Sequence, residues 1–247
     1  MQAVIEFQHV TKRFPIYHAL TGGVRNFIFN FPSAIKTLKA QGFTALENIN
    51  FNIYPGESVG IIGRNGSGKS TTLGLMAGVM QPTSGRVIVR ERVSPMLELG
   101  GGFHPDLSGI ENIMLNGVLL GLTRKQVKQR MQAILDFAEL GEFEDQPIRT
   151  YSSGMLARLG FSVITQLEPK LLIIDEVLAV GDSRFREKCY AVIEDFKKKG
   201  VTILLVSHSA SDIQRLCSRA IWIDNHHIRM DGAANDVIKQ YEEGDAK

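Results

Sequence analysis

The segment that most constrains this chain runs from Gly63 to Ser70 and reads Gly-Arg-Asn-Gly-Ser-Gly-Lys-Ser. It follows an apolar strand predicted over 58–62 and opens a helix predicted over 71–80. Glycines let the backbone curl so that successive N–H groups point inward, at a helix N-terminus that favours negative charge. The segment therefore predicts a phosphate-binding loop at the edge of an α/β sheet.

The side chains of this loop indicate what it binds. Lys69 supplies a positive charge for β- and γ-phosphates, and the Ser70 hydroxyl is an oxygen ligand suited to Mg²⁺. We therefore expect ATP and Mg²⁺ as ligands. A chance glycine turn is the alternative, and it does not explain why strand, loop and helix occur in register. The nucleotide-binding candidates of the loop are Gly63, Arg64, Asn65, Gly66, Ser67, Gly68, Lys69, Ser70 and Thr71.

A second apolar run, residues 171–174, ends in the two carboxylates of Asp175 and Glu176. A buried strand does not easily end in two acids, because an unpaired buried charge is costly. We expect Asp175 to hold Mg²⁺ and Glu176 to orient or deprotonate the attacking water. The alternative is a solvated strand end that caps the next helix, and the complete phosphate loop disfavours it.

Strands and helices alternate along most of the chain, which predicts an α/β fold with a mainly parallel sheet and helices on both faces. The middle, about residues 105–165, is predicted to be a helical insert. The near balance of 28 Lys plus Arg against 26 Asp plus Glu gives no sign of a nucleic-acid partner. The apolar runs are too short to span a bilayer, and the first ten residues lack the basic and apolar pattern of a signal peptide, so we expect neither a membrane span nor a signal peptide. The predicted strands are 3–14, 46–53, 58–62, 87–89, 171–174, 201–206 and 220–223, and the predicted helices are 71–80, 124–140, 185–199 and 211–217.

Three further motifs occur in order around the acidic strand. Tyr151-Ser-Ser-Gly-Met155 precedes it, Asp182 follows it, and His208 follows the strand predicted over 201–206. Together with the phosphate loop they resemble the motifs of ABC ATPases, over about residues 4–243. The resemblance implies one ABC nucleotide-binding domain over 1–247: a P-loop NTPase core, an antiparallel β subdomain and a helical subdomain at about 105–165.

This resemblance also implies roles for individual residues. Glu176 and His208 would be catalytic, and the chain would form a homodimer when ATP binds, so that the 151–155 motif of one chain closes the site of its partner. Further nucleotide-binding residues would be Phe14, Tyr17, Ser152, Ser153, Gly154 and Asp182.

The chain departs from the family pattern in two places. Ser153 and Met155 replace a glycine and a glutamine of the signature motif, and Glu98 aligns with the glutamine that binds magnesium in the family. A carboxylate at that position would bind Mg²⁺ with a different charge balance.

These departures, with the runs 102–113 and 176–182, resemble the branch of ABC ATPases that exports O-antigen, capsule and teichoic acid polymers. An insert at about 15–44 contains Arg25, Lys36 and Lys39 without an acidic residue, and its apolar residues recur at helical spacing. It is expected either to pack on its own domain or to contact the membrane or the transmembrane partner.

The resemblance implies an ATPase that exports a lipid-linked polysaccharide, with O-antigen first and teichoic acid or capsule second. Two copies would join two copies of an integral-membrane permease at the cytoplasmic face of the inner membrane. Some similar ATPases carry a C-terminal carbohydrate-binding domain. Since this chain ends at Lys247, we expect recognition through the lipid anchor and the permease. The remaining alternatives are an importer, a soluble ABC ATPase that acts on ribosomes or DNA, and a small-molecule kinase.

Overall fold

The structure is a computed structural model that describes residues 2–15, 42–96, 102–175 and 182–245. The predictions for Tyr17, Glu98, Glu176 and most of the 15–44 insert lie outside these residues.

Strands and helices alternate through the described residues, as the pattern predicted. The strands are β1 (Ile5–Pro15), β2 (Gly42–Ile53), β3 (Ser58–Ile62), β4 (Ser84–Val89), β5 (Val93–Met96), β6 (Leu171–Asp175), β7 (Thr202–Val206), β8 (Arg219–Asp224) and β9 (His227–Ala233). The α-helices are α1 (Lys69–Met76), α2 (Gly109–Leu119), α3 (Arg124–Ala138), α4 (Ser153–Thr165), α5 (Ser183–Lys198), α6 (Ala210–Leu216) and α7 (Ala234–Asp245).

Two sheets form the α/β part of the fold. The larger has the order β5-β6-β7-β3-β8-β9, and its strands are parallel except for β9, which pairs antiparallel with β8. The smaller is antiparallel, with the order β2-β1-β4. The predicted fold class, a mainly parallel sheet beside an antiparallel β unit and a helical region, is confirmed.

The larger sheet is buried on both faces because its central strands are continuously apolar. In β7, Leu204 and Val206 face a core shared with β1, β2 and α1, whereas Ile203 and Leu205 face a core shared with α4–α7. Phe7 and Phe51 stack at 4.4 Å within the first of these cores, so the smaller sheet is packed directly on the larger one.

The helical region has a core of its own. Ile113, Val127, Ile134 and Leu159 are completely buried together between α2, α3 and α4. The helices α2 and α3 each begin with a capping box, an arrangement that marks a helix start. The side chain of the cap residue accepts a hydrogen bond from the backbone N–H three residues later, and the side chain of that later residue accepts one from the backbone N–H of the cap residue. This region lies at the place predicted from the sequence.

Several boundaries differ from the prediction. The first helix begins at Lys69, inside the phosphate loop, and ends at Met76, because Gly78 adopts a left-handed conformation with φ +71°. The elements β5, β9 and α7 were not predicted. Within the described ranges, no helix has the length and apolar character needed to cross a membrane.

Candidate nucleotide-binding site

The phosphate loop leaves the carboxyl end of β3 and enters α1. Gly68 has φ +111°, and a Cβ atom there would lie 2.5 Å from the carbonyl oxygen of Ala45 in β2. Only glycine fits both the conformation and this close approach. Gly66 also has a positive φ, +80°, and no atom lies within 4 Å of the position of its Cβ, so it faces open space. The loop therefore rests on β2 on one side and is accessible on the other.

Lys69 is buried at the start of α1. Its Nζ donates to the carbonyl oxygens of Gly63 at 2.8 Å and Arg64 at 3.1 Å, so the ammonium group lies inside the curve of the loop. The N–H of Thr72 donates a hydrogen bond to the carbonyl oxygen of Gly68, the residue that caps α1, at 2.9 Å. The N–H groups ahead of Thr72 lie at the positive end of the helix dipole, where an anion is favoured.

The loop also contains a buried polar group that suits a polar ligand. The hydroxyl of Ser67 is buried, and none of the described residues makes a hydrogen bond with it. Buried hydroxyls are nearly always satisfied in folded proteins, by protein, water or ligand. With the ammonium and the helix N-terminus, this loop fits the phosphates of a nucleotide.

A cleft of about 450 Å³ opens in front of the loop. Asp175, at the end of β6, lies in it together with Lys69 and Ser70, so the structure brings the predicted magnesium ligands of the described residues to one place. The described residues that line the cleft are Phe43, Ala45, Asn65, Gly66, Gly68, Lys69, Ser70, Thr71 and Asp175.

His208 lies at the same edge of the sheet. It stands two residues beyond β7, which lies between β3 and β6, so it comes between the phosphate loop and Asp175 in strand order. Its side chain is exposed. This placement suits a group that approaches a γ-phosphate, and its catalytic role remains a prediction.

The structure adds an aromatic residue that sequence reasoning missed. Phe43 lines the cleft and is 47% exposed, with its ring edge-on to His226 at 5.3 Å. It pairs across the smaller sheet with Phe14, the predicted nucleotide-binding aromatic. Lys12 lies 5.0 Å over the Phe14 ring, and Phe14 is not among the residues that line the cleft. Phe43 is therefore the aromatic side chain that, among the described residues, lines the cleft.

The signature segment lies elsewhere in the chain. Ser152 caps α4 by accepting a hydrogen bond from the N–H of Met155 at 3.2 Å, and Ser152 and Ser153 are exposed. A Cβ atom at Gly154 would meet only the Ser152 hydroxyl, at 3.9 Å, so the helix start is open to an incoming group. None of these residues lines the cleft of their own chain among the described residues.

Asp182 is held by its own chain. One carboxylate oxygen accepts from the N–H of Phe185 at 2.8 Å and the other accepts from Arg158 at 2.5 Å. The hydrogen bond from the Phe185 N–H, together with the charge of Arg158, lowers the pKa of Asp182. The predicted nucleotide contact of Asp182 stays a prediction.

Comparison with known proteins identifies the family. Residues 46–179 match the sequence pattern of the family described as ABC transporter. The chain belongs to the ABC transporter family. This ABC chain is 57% identical over 243 residues to the O-antigen export system ATP-binding protein RfbB of Klebsiella pneumoniae, covering 98% of this chain and 99% of that protein. It is 41% identical over 239 residues to the teichoic acids export ATP-binding protein TagH of Listeria monocytogenes serotype 4b, covering 97% of this chain and 70% of TagH.

Solved ABC structures have the same fold. The dimeric post-hydrolysis structure of the ATP-binding cassette MJ0796, bound to ADP and Pi, aligns with a TM-score of 0.73 at 21% identity, covering 93% of this chain and 98% of that one. The ATP-binding subunit of another ABC transporter aligns with a TM-score of 0.74 at 23% identity, covering 97% and 93%. The family match and the near full-length relatives, together with this fold, make the chain an ATP-binding cassette that hydrolyses ATP in transport.

Proposed function

We propose that this ABC chain hydrolyses Mg-ATP as a homodimer and thereby drives export of a lipid-linked polysaccharide, O-antigen, across the inner membrane. The observation that carries the proposal is the near full-length identity of 57% to RfbB, a protein named for O-antigen export. The cleft that joins the phosphate loop to Asp175 supplies the chemistry that such a subunit needs.

Within the cleft, each group has a distinct task. The ammonium of Lys69 and the loop N–H groups bind and orient the β- and γ-phosphates. Ser70 and Asp175 would hold Mg²⁺, which neutralises phosphate charge when bound. Phe43 stacks on the adenine ring. Glu176 accepts a proton from the attacking water, and His208 contacts the γ-phosphate.

The homodimer is required because the two halves of each site lie on different chains. The open start of α4, with Ser152 and Gly154, is a helix N-terminus outside the cleft of its own chain. Placed against the cleft of a partner, it would direct its N–H groups at the γ-phosphate. MJ0796, a cassette of the same fold, has been solved as a dimer.

The export role requires a membrane partner. We infer that two of these chains join two copies of an integral-membrane permease at the cytoplasmic face of the inner membrane, as peripheral subunits. The polysaccharide would then meet the permease, and no nucleic acid would be involved. ATP hydrolysis by the chain supplies the free energy.

A gene deletion in the organism that carries the chain tests the proposal. We expect the deletion to abolish surface O-antigen and to leave lipid-linked polymer inside the cell. Wild-type chain on a plasmid should restore export, and the Lys69→Ala variant, expressed at the same level, should not. Affinity purification in detergent should recover a multispanning membrane protein with the wild-type chain. Normal surface polysaccharide in the deletion strain would refute the export role.

Teichoic acid is the second candidate substrate, since the 41% identity to TagH also spans 97% of this chain. The same deletion strain separates the two, because gel analysis and phosphate assay of the cell surface identify which polymer is lost. Loss of teichoic acid with intact O-antigen would favour the second candidate.

A further inference from the structure

The ion pair between Arg158 and Asp182 joins two elements that the proposed dimer uses at different sites. Arg158 lies on α4, the helix that starts at the signature segment. Asp182 precedes α5 and follows Asp175 of the cleft by seven positions. An Nη2–Oδ2 distance of 2.5 Å connects them, and the Arg158 side chain is only 22% exposed.

Asp182 also accepts a hydrogen bond from the start of α5. Its Oδ1 caps α5 through the N–H of Phe185 at 2.8 Å, so the carboxylate bridges the start of α5 and the guanidinium of Arg158. A carboxylate that accepts from both a helix N-terminal N–H and an arginine is held in its ionised form. The bridge therefore persists at neutral pH.

Arg158 has further contacts that fix its orientation. Its guanidinium lies 5.3 Å over the ring of Phe185, and its Nη1 is 3.6 Å from an oxygen of Glu139. Glu139 ends α3 in a left-handed conformation, with φ +51°, and also contacts Lys188 of α5. Arg158 thus sits where α3, α4 and α5 meet.

This junction lies where two hydrophobic cores adjoin. The helices α2 and α3 pack with α4 in the core of the helical region, while the buried face of α5 packs in the core beneath the larger sheet. Phe161 of α4 lies 6.2 Å from Phe185 in the core beneath the larger sheet, so α4 contributes side chains to both cores. The Arg158–Asp182 pair adds a directional link between the signature helix and the start of α5.

We propose that Arg158 is a positioning residue that holds Asp182 and the signature helix at a fixed separation, so that each chain couples its own nucleotide cleft to the signature contact it makes with its partner's nucleotide. The proposal rests on the two-chain site of the proposed function. Its physical basis is that a catalytic contact misplaced by about 1 Å loses much of its rate effect.

A purely structural ion pair makes a different prediction. Asp182 has 56% of its side chain exposed, and exposed ion pairs contribute little to stability. Loss of a structural pair would therefore leave turnover unchanged, whereas loss of a positioning pair lowers kcat while folding and nucleotide binding remain.

The first experiment compares single variants of the full chain. Asp182→Asn keeps an oxygen to cap α5 but removes the charge that pairs with Arg158. Arg158→Gln removes the other partner. Glu187→Gln is the matched control, because it removes an exposed ion pair on the same helix, where Arg215 binds Glu187 at 2.8 Å. We expect the first two to lower kcat by about tenfold. Arg158→Gln, which removes no predicted nucleotide contact, should change ADP affinity less than twofold. The control should keep wild-type kcat.

One double variant and one conservative single variant extend this test. The double variant Arg158→Gln/Asp182→Asn should lose no more activity than either single variant, since both remove one interaction. Arg158→Lys, which keeps the charge, should recover part of kcat. The proposal is overturned if the single variants keep more than half of wild-type kcat, if their losses multiply, or if chemical denaturation shows that they unfold more easily than Glu187→Gln.

Mixed dimers then test both ends of the link. A dimer of one Ser152→Ala chain and one Glu176→Gln chain retains a single intact site, built from the cleft of the first chain and the signature helix of the second. Adding Arg158→Gln to the first chain releases its Asp182, and adding it to the second releases its signature helix. We expect either placement to lower the remaining rate several-fold, and an effect of only one placement contradicts a two-ended role.

The same assay separates this inference from the proposed function. If the mixed dimer forms but has no activity before Arg158 is changed, the two-chain site is either wrong or strictly dependent on both ATPs, and the single variants alone decide whether the pair serves turnover. If the mixed dimer is active and neither placement has an effect, only the inference about Arg158 fails.

Discussion

Replacement of Phe43 by alanine tests whether the aromatic side chain in the cleft binds the base. Stacking between a nucleic-acid base and an aromatic side chain contributes ~1–3 kcal/mol when measured by alanine substitution. Phe43 is 47% exposed, so about half of its side-chain surface is available to adenine. We therefore expect the lower part of that range, about 1–2 kcal/mol, which weakens ADP binding by about 5- to 30-fold.

The assay is titration calorimetry with two ligands. ADP carries the base and pyrophosphate does not, so Phe43→Ala should weaken ADP binding and change pyrophosphate binding less than twofold. Phe43→Tyr keeps the ring and should restore most of the ADP affinity. Tyr54→Ala is the matched control, because Tyr54 is a similarly exposed aromatic just beyond β2 that does not line the cleft.

Two outcomes would refute this reasoning. ADP affinity within twofold of wild type would mean that the base binds elsewhere, for example against Phe14. An equal loss for ADP and pyrophosphate would mean that the substitution disturbs the neighbouring phosphate loop. Thermal unfolding of each variant checks that the fold is intact.

Three other predictions follow from single contacts. Lys69→Ala should weaken ADP binding by about 10- to 150-fold, because hydrogen bonds to charged groups contribute ~1.5–3 kcal/mol. The control is Lys12→Ala, which removes another lysine bonded to a backbone carbonyl and should leave ADP affinity unchanged. Burial raises the pKa of Cys189 and of Cys217 to about 12, so iodoacetamide at pH 8 should modify neither thiol in the folded chain and both in urea, and rapid labelling of the folded chain would contradict their burial. Arg219→Met removes two hydrogen bonds of 2.7 Å to the carboxylate of Asp231. It should lower the free energy of unfolding by about 2 kcal/mol in a denaturant titration. An unchanged midpoint would show that this ion pair makes no net contribution to stability.

The local parts of the site were predictable from the sequence. Glycines at fixed spacing encode the backbone of the phosphate loop, so Lys69 and Ser70 could be placed without tertiary information. Asp175 was predictable because it is the last residue of an apolar strand, which places its carboxylate at the carboxyl edge of the parallel sheet. Lys69, Ser70 and Asp175 all line the cleft, as expected.

Other parts of the site depend on contacts that local patterns do not encode. Phe43 was missed because β2 begins at Gly42, four residues before the strict alternation starts. The last strand, β9, has no fully buried residue, so its alternation lacks the strong apolar signal of a core strand. The link between Arg158 and Asp182 spans 24 positions and depends on how α4 packs against α5.

The contact between Gly68 and β2 has a kinetic consequence. Because the phosphate loop and the aromatic side of the cleft lie against one another, and the two sheets share one core, both halves of the binding surface exist before nucleotide arrives. Binding to a surface that is already formed requires no slow conformational change before or after the ligand arrives. When the isolated chain is mixed with a fluorescent ADP analogue in a stopped-flow instrument, the fluorescence should follow a single exponential. The observed rate constant should rise linearly with ligand concentration. A rate that reached a plateau would reveal an opening step in this part of the fold.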